Sequence, residues 1–449
     1  MLRVAIIGSG PAGVYAAQAL VRHGDVAVDV LDRLPAPYGL VRYGVAPDHE
    51  DIKSISATLR KVLEEPAVRF LGNVDVGRQI TVEELHQHYD AILVAAGAAV
   101  DRRMGIPGED LPGSFSATDF VAWYSGHPDA PIDYFTLTAR SVAVIGVGNV
   151  AIDVTRILAK TADDLRGTDL PDHVLQVLGA SVLEDVHLIG RRGPAQAKFT
   201  TRELRELGEL ANADVLVDAA ELELDESSHE RLEKEAVPRR NLKVLQEWAE
   251  RPPQGRPRRV HVRFLMRPVE VLGETRVTGL RVERTRLDGT GNATPTGSTS
   301  TLDAQMVLRS VGYRGLALPG LPFDEATGVI PNSAGRVLRD GVVAPGEYVA
   351  GWIKRGPTGV IGTNKRDATE TVTAVLEDAP TLPPAPVRDP DALPQLLAER
   401  GVNVVTWDGW GAIERAEAEL GRLQGRERVK IAEREALLRA AAGTRNGPS

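Results

Sequence analysis

The chain contains no cysteine. That absence removes disulfides, thiolate metal sites, an internal iron–sulfur cluster and a redox-active Cys pair, so redox chemistry here has to reside on a bound cofactor. Aromatic residues are only 4% of the total, and no apolar run approaches the ~18 residues of a membrane-spanning helix. Basic residues are the minority, 53 against 62 acidic, and the formal net charge of −9 argues against a general binder of nucleic acid or anionic membranes. Only Met1 and Leu2 precede the first expected strand, which leaves no room for a signal or transit peptide, and the expected location is the cytoplasm. What the chain does have is size: 449 residues, 43% of them hydrophobic, enough for several substantial cores.

The chain is organised around its first residues. Residues 3–7 (Arg-Val-Ala-Ile-Ile) read as a buried strand, Gly8-Ser9-Gly10-Pro11-Ala12-Gly13 as a glycine turn, and residues 14–20 as a helix. This is the strand–turn–helix of a dinucleotide fold. Gly8 permits the tight turn, Gly10 admits a pyrophosphate, and Gly13 lets the helix pack closely on the strand. The next strand, residues 26–31, ends at Asp32, an acid placed to hold a ribose hydroxyl. Residues 34–48 are too rich in Pro and Gly for a helix or central strand and are expected to lie over the ligand. A helix capped by Asp48 is expected over 49–64, an edge strand over 70–76, a short helix over 81–89 and a buried parallel strand over 91–96, ending at Gly97 beside the ligand.

The opening then recurs. Residues 141–145 form an apolar strand, Gly146-Val147-Gly148-Asn149-Val150-Ala151 a second turn, and residues 152–158 a helix. Two such fingerprints imply two dinucleotides. The strand that should carry the second ribose contact, residues 186–189, ends in Gly190-Arg191-Arg192 rather than an acid. Two guanidinium groups suit the 2′-phosphate of NADP and leave the 2′-hydroxyl of NAD without its acceptor. Downstream, strands are expected near 260–265, 277–284, 305–310 and 347–350, a Gly/Thr/Ser-rich turn over 289–300, and a helix ending near 377. Prolines over 380–394 read as linker-like, and residues 395–442 as an amphipathic helical cap on the first domain, with Trp407 and Trp410 near its turn. Residues 443–449 look disordered. The reading is therefore α/β with two Rossmann-like dinucleotide-binding domains, residues 1–105 with 313–449 for the first dinucleotide and residues 106–312 for NADP.

These motifs, together with residues 40–49 (Leu-Val-Arg-Tyr-Gly-Val-Ala-Pro-Asp-His), Arg191-Arg192-Gly193-Pro194 and residues 351–359 (Gly-Trp-Ile-Lys-Arg-Gly-Pro-Thr-Gly), resemble the adrenodoxin-reductase type of ferredoxin-NADP+ reductase. The resemblance spans residues 1 to about 375. It implies a glutathione-reductase-like arrangement, FAD on the first fingerprint, NADP(H) on the second, hydride transfer between NADPH and FAD, and one-electron exchange with a ferredoxin-like iron–sulfur protein or a flavodoxin-like carrier. With no cysteine and a start at the first fingerprint, that carrier is expected to be a separate protein. Asp32 stands where the family often has Glu, and Val147 where it often has Gln.

The resemblance also assigns residues. Leu40, Gly97, Trp352, Gly359, Val360 and Ile361 join Gly8, Gly10, Ala12, Gly13 and Asp32 toward FAD. Gly146, Gly148, Asn149, Val150, Arg191, Arg192, Glu203 and Gly359 fall to NADP, and His49, Asp153, Glu203 and Trp352 to the chemistry; no metal is implied. Bland alternatives exist for several of these: a structural first-turn histidine, a solvated Glu203, a core Trp352, a solvated arginine pair. Gly359, read as opening the last helix, would favour negative charge on a reduced flavin. An acidic carrier needs a concentrated basic patch on this acidic chain, and residues 239–263 are the candidate, with Arg239, Arg240, Lys243, Arg251, Arg256, Arg258, Arg259 and Arg263 against Glu247 and Glu250. The competing readings are a flavin monooxygenase or amine oxidase and a non-catalytic NADP-binding protein; a disulfide reductase is excluded by the missing cysteines.

Overall fold

The computed structural model of the chain describes residues 1–359 and 361–443. Val360 and residues 444–449 lie outside the described residues. The chain divides into two compact units, Met1–Val100 with Ser125–Asp129 and Gly312–Ser449, and Asp101–Tyr124 with Ala130–Val311.

The first unit is built on a seven-stranded sheet in which Leu2–Ile7 is the third strand from one edge. Val26–Asp32 pairs parallel on one side of it and Ala91–Val94 on the other, so the strand order reverses there. Alternation sends Val4 and Ile6 into the core on one face of the sheet and Ala5 and Ile7 into the core on the other. A reversal of this kind opens a crevice beyond the carboxyl ends of the strands, where open α/β sheets bind ligands. The second unit repeats the plan in a six-stranded parallel sheet with Ser141–Ile145 between Met306–Arg309 and Asp185–Ile189. A three-stranded antiparallel sheet, Met266–Leu272, Gly279–Leu287 and Ala293–Leu302, completes it. No helix among the described residues is long and apolar enough to cross a membrane.

Several local expectations need correcting. The helix expected over 49–64 is two helices, Glu50–Lys53 and Ile55–Leu63; between them the Ser54 hydroxyl donates to the Asp51 carbonyl at 2.6 Å, competing with the backbone ladder. The loop 34–48 does hold one helical turn, Leu40–Tyr43, entered through Gly39 at φ 51° and left through Gly44. The strand expected over 70–76 is Val68–Gly72, at the sheet edge as anticipated. The parallel strand over 91–96 stops at Val94, and that over 347–350 extends back to Val342. In the stretch 289–300 only the beginning is a turn, since its threonines and serines pair along Gly279–Leu287 as an exposed strand. Gly359 does not open the helix that follows it, which runs over Thr363–Asp378.

The proline-rich stretch 380–394 is not a loose linker. Asp90, 9% exposed, accepts hydrogen bonds from Arg3 N (2.8 Å), Ala385 N (2.8 Å) and Arg388 Nη1 (2.5 Å), so one carboxylate ties this stretch to the first strand. The tail beyond it forms three helices of the first unit, Ala392–Glu399, Trp407–Leu423 and Arg434–Ala441. Asp90→Ala strands two buried backbone donors and removes the partner of the half-exposed Arg388, and is expected to cost on the order of 3 kcal/mol in denaturant unfolding, with new protease cleavage within 380–390. Unchanged stability and cleavage would mean that the stretch is held elsewhere.

Candidate active site

The first glycine turn is set by steric necessity. Gly8 has φ 111°, and a Cβ there would stand 2.5 Å from the Ala95 carbonyl oxygen; at Gly13 it would stand 1.9 Å from the Gly8 oxygen. Three close approaches gather the expected flavin residues. Gly8 lies against Ala95, two residues before Gly97; Gly10 faces Gly39, next to Leu40; and a Cβ on Gly351, next to Trp352, would reach the Ala12 methyl at 2.7 Å. Open space surrounds Gly97, where a Cβ would meet nothing within 4 Å. The helix Pro11–Val21 begins at Gly10 with no side-chain cap, which leaves its first N–H groups for an anion. Ile361, by contrast, packs partly buried against the core. No close approach brings Gly359 to the turn; a Cβ on it would meet only the Thr363 side chain.

Asp32 is placed differently from a free ribose acceptor. Its carboxylate takes hydrogen bonds from Ser9 N (2.8 Å), Ser9 Oγ (2.5 Å) and Leu34 N (2.9 Å). Burial raises its pKa, and these donors pull it back down. Its first task is thus to lock the glycine turn to the end of its own strand. Trp352 stacks on Tyr313, with ring centroids 6.0 Å apart and planes at 22°. Its indole Nε1 is buried and has no hydrogen-bond partner among the described residues, a donor waiting for an acceptor. Tyr313 carried no sequence signal. His49 is 5% exposed, and its carbonyl accepts from Ile52 N and Lys53 N.

The second turn follows the same steric rule. Gly146 has φ 136°, and a Cβ there would stand 2.2 Å from the Ser310 carbonyl oxygen, while a Cβ on Gly148 would meet nothing within 4 Å. The helix Asn149–Ala159 starts three residues earlier than expected and again lacks a side-chain cap. Val150 packs on the core, whereas Asn149 Oδ1 accepts from Thr200 N at 2.8 Å. Thr200 in turn caps the helix Thr201–Gly208 that carries Glu203. The backbone of Arg191 and Arg192 is pinned, with Thr285 Oγ1 donating to the Arg191 oxygen at 2.7 Å and Leu265 N to the Arg192 oxygen at 3.1 Å. Neither guanidinium has a carboxylate partner among the described residues. Burial, then repulsion from Arg191 and Arg231, lowers the pKa of Arg192. Two adjacent cations without a carboxylate partner among the described residues, on a fixed backbone, have the chemistry to hold an anion.

Glu203 is buried, not solvated, at 6% exposure. It shares its surroundings with Asp153, Glu206 and Arg156, residues the spacing i, i+3 on two helices brings together. Arg156 Nη2 meets Asp153 Oδ1 at 2.7 Å, and its Nε lies 3.6 Å from Glu206 Oε2. Glu206 also meets Arg202 Nε at 3.3 Å, and burial and then the charges of Asp153 and Glu206 push the Glu203 pKa up to about 8. The folded state therefore holds this proton through neutral pH while the unfolded chain releases it near the ordinary glutamate value. Stability is lost as pH rises between those two values. Glu203→Gln, which cannot ionise, is expected to gain up to about 5 kcal/mol relative to wild type between pH 4.5 and pH 8, read from denaturation series at each pH. A stability difference that does not vary with pH would show that Glu203 is ionised throughout.

The candidate docking stretch is divided: Arg239, Arg240, Lys243 and Arg251 are exposed, and the other four cations have partners within the fold. Arg256 donates to the Leu210 and Ala213 carbonyls, and Arg258 to the Leu158 and Lys160 carbonyls at 3.0 and 2.6 Å, closing the end of the helix Asn149–Ala159. Arg259 is paired with Asp185 and Arg263 with Glu221. Half of the eight cations are thereby used inside the fold, because this run enters the strand Arg258–Arg263.

Residues 2–210 match the family model described as pyridine nucleotide-disulphide oxidoreductase. The chain is 46% identical over 453 residues to NADPH-ferredoxin reductase FprA of Mycobacterium leprae, covering 98% of both chains. It is 39% identical over 459 residues to the mitochondrial NADPH:adrenodoxin oxidoreductase of Salvelinus fontinalis, covering 98% of this chain and 91% of that one. Among solved structures, FprA of Mycobacterium tuberculosis in complex with NADPH superimposes with a TM-score of 0.93 at 45% identity, covering 98% of this chain and all of the other. The chain belongs to the adrenodoxin-reductase type of NADPH-ferredoxin reductase.

Proposed function

We propose that this protein carries electrons from NADPH through one bound FAD to a separate ferredoxin-type iron–sulfur protein, in the cytoplasm, with a flavodoxin-like carrier as an alternative acceptor and no nucleic-acid partner. The observation that carries the reading is the pair of uncapped glycine-turn helices, only the second of which is followed by two unpaired arginines. When bound, FAD supplies the step that converts a two-electron donor into single-electron transfers.

The residues present fit both groups. Gly8, Gly10, Ala12 and Gly13 leave room and free N–H groups for the FAD pyrophosphate, with Asp32 holding the turn through Ser9, and Leu40 and Gly97 bordering the opening. Trp352 offers its orphaned N–H beside that opening. Gly146, Gly148, Asn149 and Val150 serve the second pyrophosphate, and Arg191 and Arg192 the 2′-phosphate. Glu203 holds a proton at neutral pH, and Asp153, fixed by Arg156, keeps it there. His49 is assigned to the same chemistry on its motif.

The purified protein is expected to be yellow, to release one FAD per chain, and to reduce a ferredoxin with NADPH without rapid oxygen consumption. Recovery of FMN, or a folded protein that takes up no flavin, would end this reading. Replacing both Arg191 and Arg192 by Ala removes two charge-assisted contacts worth ~1.5–3 kcal/mol each, so the preference for NADPH over NADH should fall by two or more orders of magnitude in kcat/KM. A ratio that barely moves would make these arginines surface charges.

A further inference from the structure

The loop 34–48 is held from outside by the C-terminal tail, far along the chain. Arg42, on the helical turn Leu40–Tyr43, is 6% exposed and makes a two-pronged pair with Glu417 of the helix Trp407–Leu423, Nη1 to Oε2 at 3.1 Å and Nη2 to Oε1 at 2.5 Å. Glu417 is fully buried, and its Oε1 also accepts from Ile431 N at 3.0 Å. Lys430 Nζ donates to the Arg42 carbonyl oxygen at 2.7 Å. The Arg42 guanidinium lies 5.0 Å from the ring centroids of both Tyr43 and Trp410.

The same helix secures the start of the turn. Tyr38 has φ 81°, an unfavourable conformation for an aromatic residue, and its ring meets Trp410 edge to face at 5.9 Å. Tyr38 N donates to the Ser9 oxygen at 3.1 Å, and Gly39 lies so close to Gly10 that a Cβ on it would stand 3.0 Å from the Gly10 Cα. The tail thus bears on the strained residues that themselves bear on the first glycine turn.

We propose that Glu417 is a positioning residue for the flavin site: through Arg42 it holds the Tyr38–Tyr43 turn against the glycine turn, so the C-terminal tail sets how tightly FAD is retained. The inference rests on the assignment of FAD to the first glycine turn. It treats the tail as a working part of the cofactor site, beyond a cap on the core. A buried carboxylate–guanidinium pair is well suited to this, since removing either partner leaves the other charged and unpaired in the interior.

The test uses the full chain, stripped of flavin and titrated with FAD, reading Kd from the quenching of flavin fluorescence and recording the visible circular dichroism of the bound flavin. Glu417→Gln keeps the shape and removes the charge, and Arg42→Lys keeps the charge and removes the fork. Each is expected to raise the FAD Kd at least tenfold and to alter the flavin dichroism. The control is Arg60→Ala, which breaks another tie of the same tail helix, Arg60 to Glu414 at 2.7 Å, and leaves the Arg42–Glu417 pair in place. It should change Kd less than threefold. Equal loss in Arg60→Ala and Glu417→Gln would reduce the tail to general packing and overturn the proposal, as would wild-type affinity and dichroism in both Glu417→Gln and Arg42→Lys. If one of these two variants does not fold, the other decides. A wild type that takes up no FAD would overturn the flavin reading itself and this proposal with it, whereas wild-type uptake with unchanged variants overturns this proposal alone.

Discussion

Everything at both nucleotide sites depends on backbone approaching backbone more closely than a side chain allows. Gly8 against Ala95, Gly13 against Gly8 and Gly146 against Ser310 are contacts in which an added methyl would overlap a carbonyl oxygen. These contacts set the angle at which each helix leaves its strand. Helix N-termini then point their unpaired N–H groups into the crevice where the strand order reverses, and the pyrophosphate sites follow from geometry without any dedicated charged residue.

The two sites use charge in opposite ways. In the first, the acid at the strand end is satisfied locally by Ser9 and Leu34, so its charge is used for shape. In the second, the cations at the equivalent strand end are left without partners while their backbone is pinned, so their charge is kept for a ligand. In the same unit, burial of Glu203 beside Asp153 and Glu206 outweighs the pull of Arg156 and Arg202, and its pKa rises to about 8. A formal charge read from sequence would count that residue as ionised.

What was legible in the sequence was what repeats at short range: both strand–turn–helix units, the buried strands with their alternation, the Arg191-Arg192 pair. What was not legible depended on residues far apart in the chain. The hold of Asp32 on the glycine turn was hidden because nothing nearby in sequence said that Ser9, 23 positions earlier, would donate to it. Arg256, Arg258, Arg259 and Arg263 looked like a surface run because their acceptors are carbonyls and acids brought by other strands and helices. The prolines of 380–394 looked like a linker because Asp90, some 300 residues upstream, supplies their anchor. The exposed strand Ala293–Leu302 was misread because its composition is that of a turn and only its partner strand makes it extended.

The division of the chain has a consequence for how the molecule comes into being. The chain passes between the two units four times, at 100/101, 124/125, 129/130 and 311/312. On a ribosome, residues 101–311 emerge complete while the first unit still lacks the strand Val342–Val349 that pairs with Ala91–Val94, and the tail helix that carries Glu417. The unit begun first is therefore finished last. Its amino-terminal half must wait with an open sheet edge beside Ala91–Val94 until the carboxyl-terminal third arrives, and a stop codon anywhere in that third leaves a closed second unit joined to an unfinished first one.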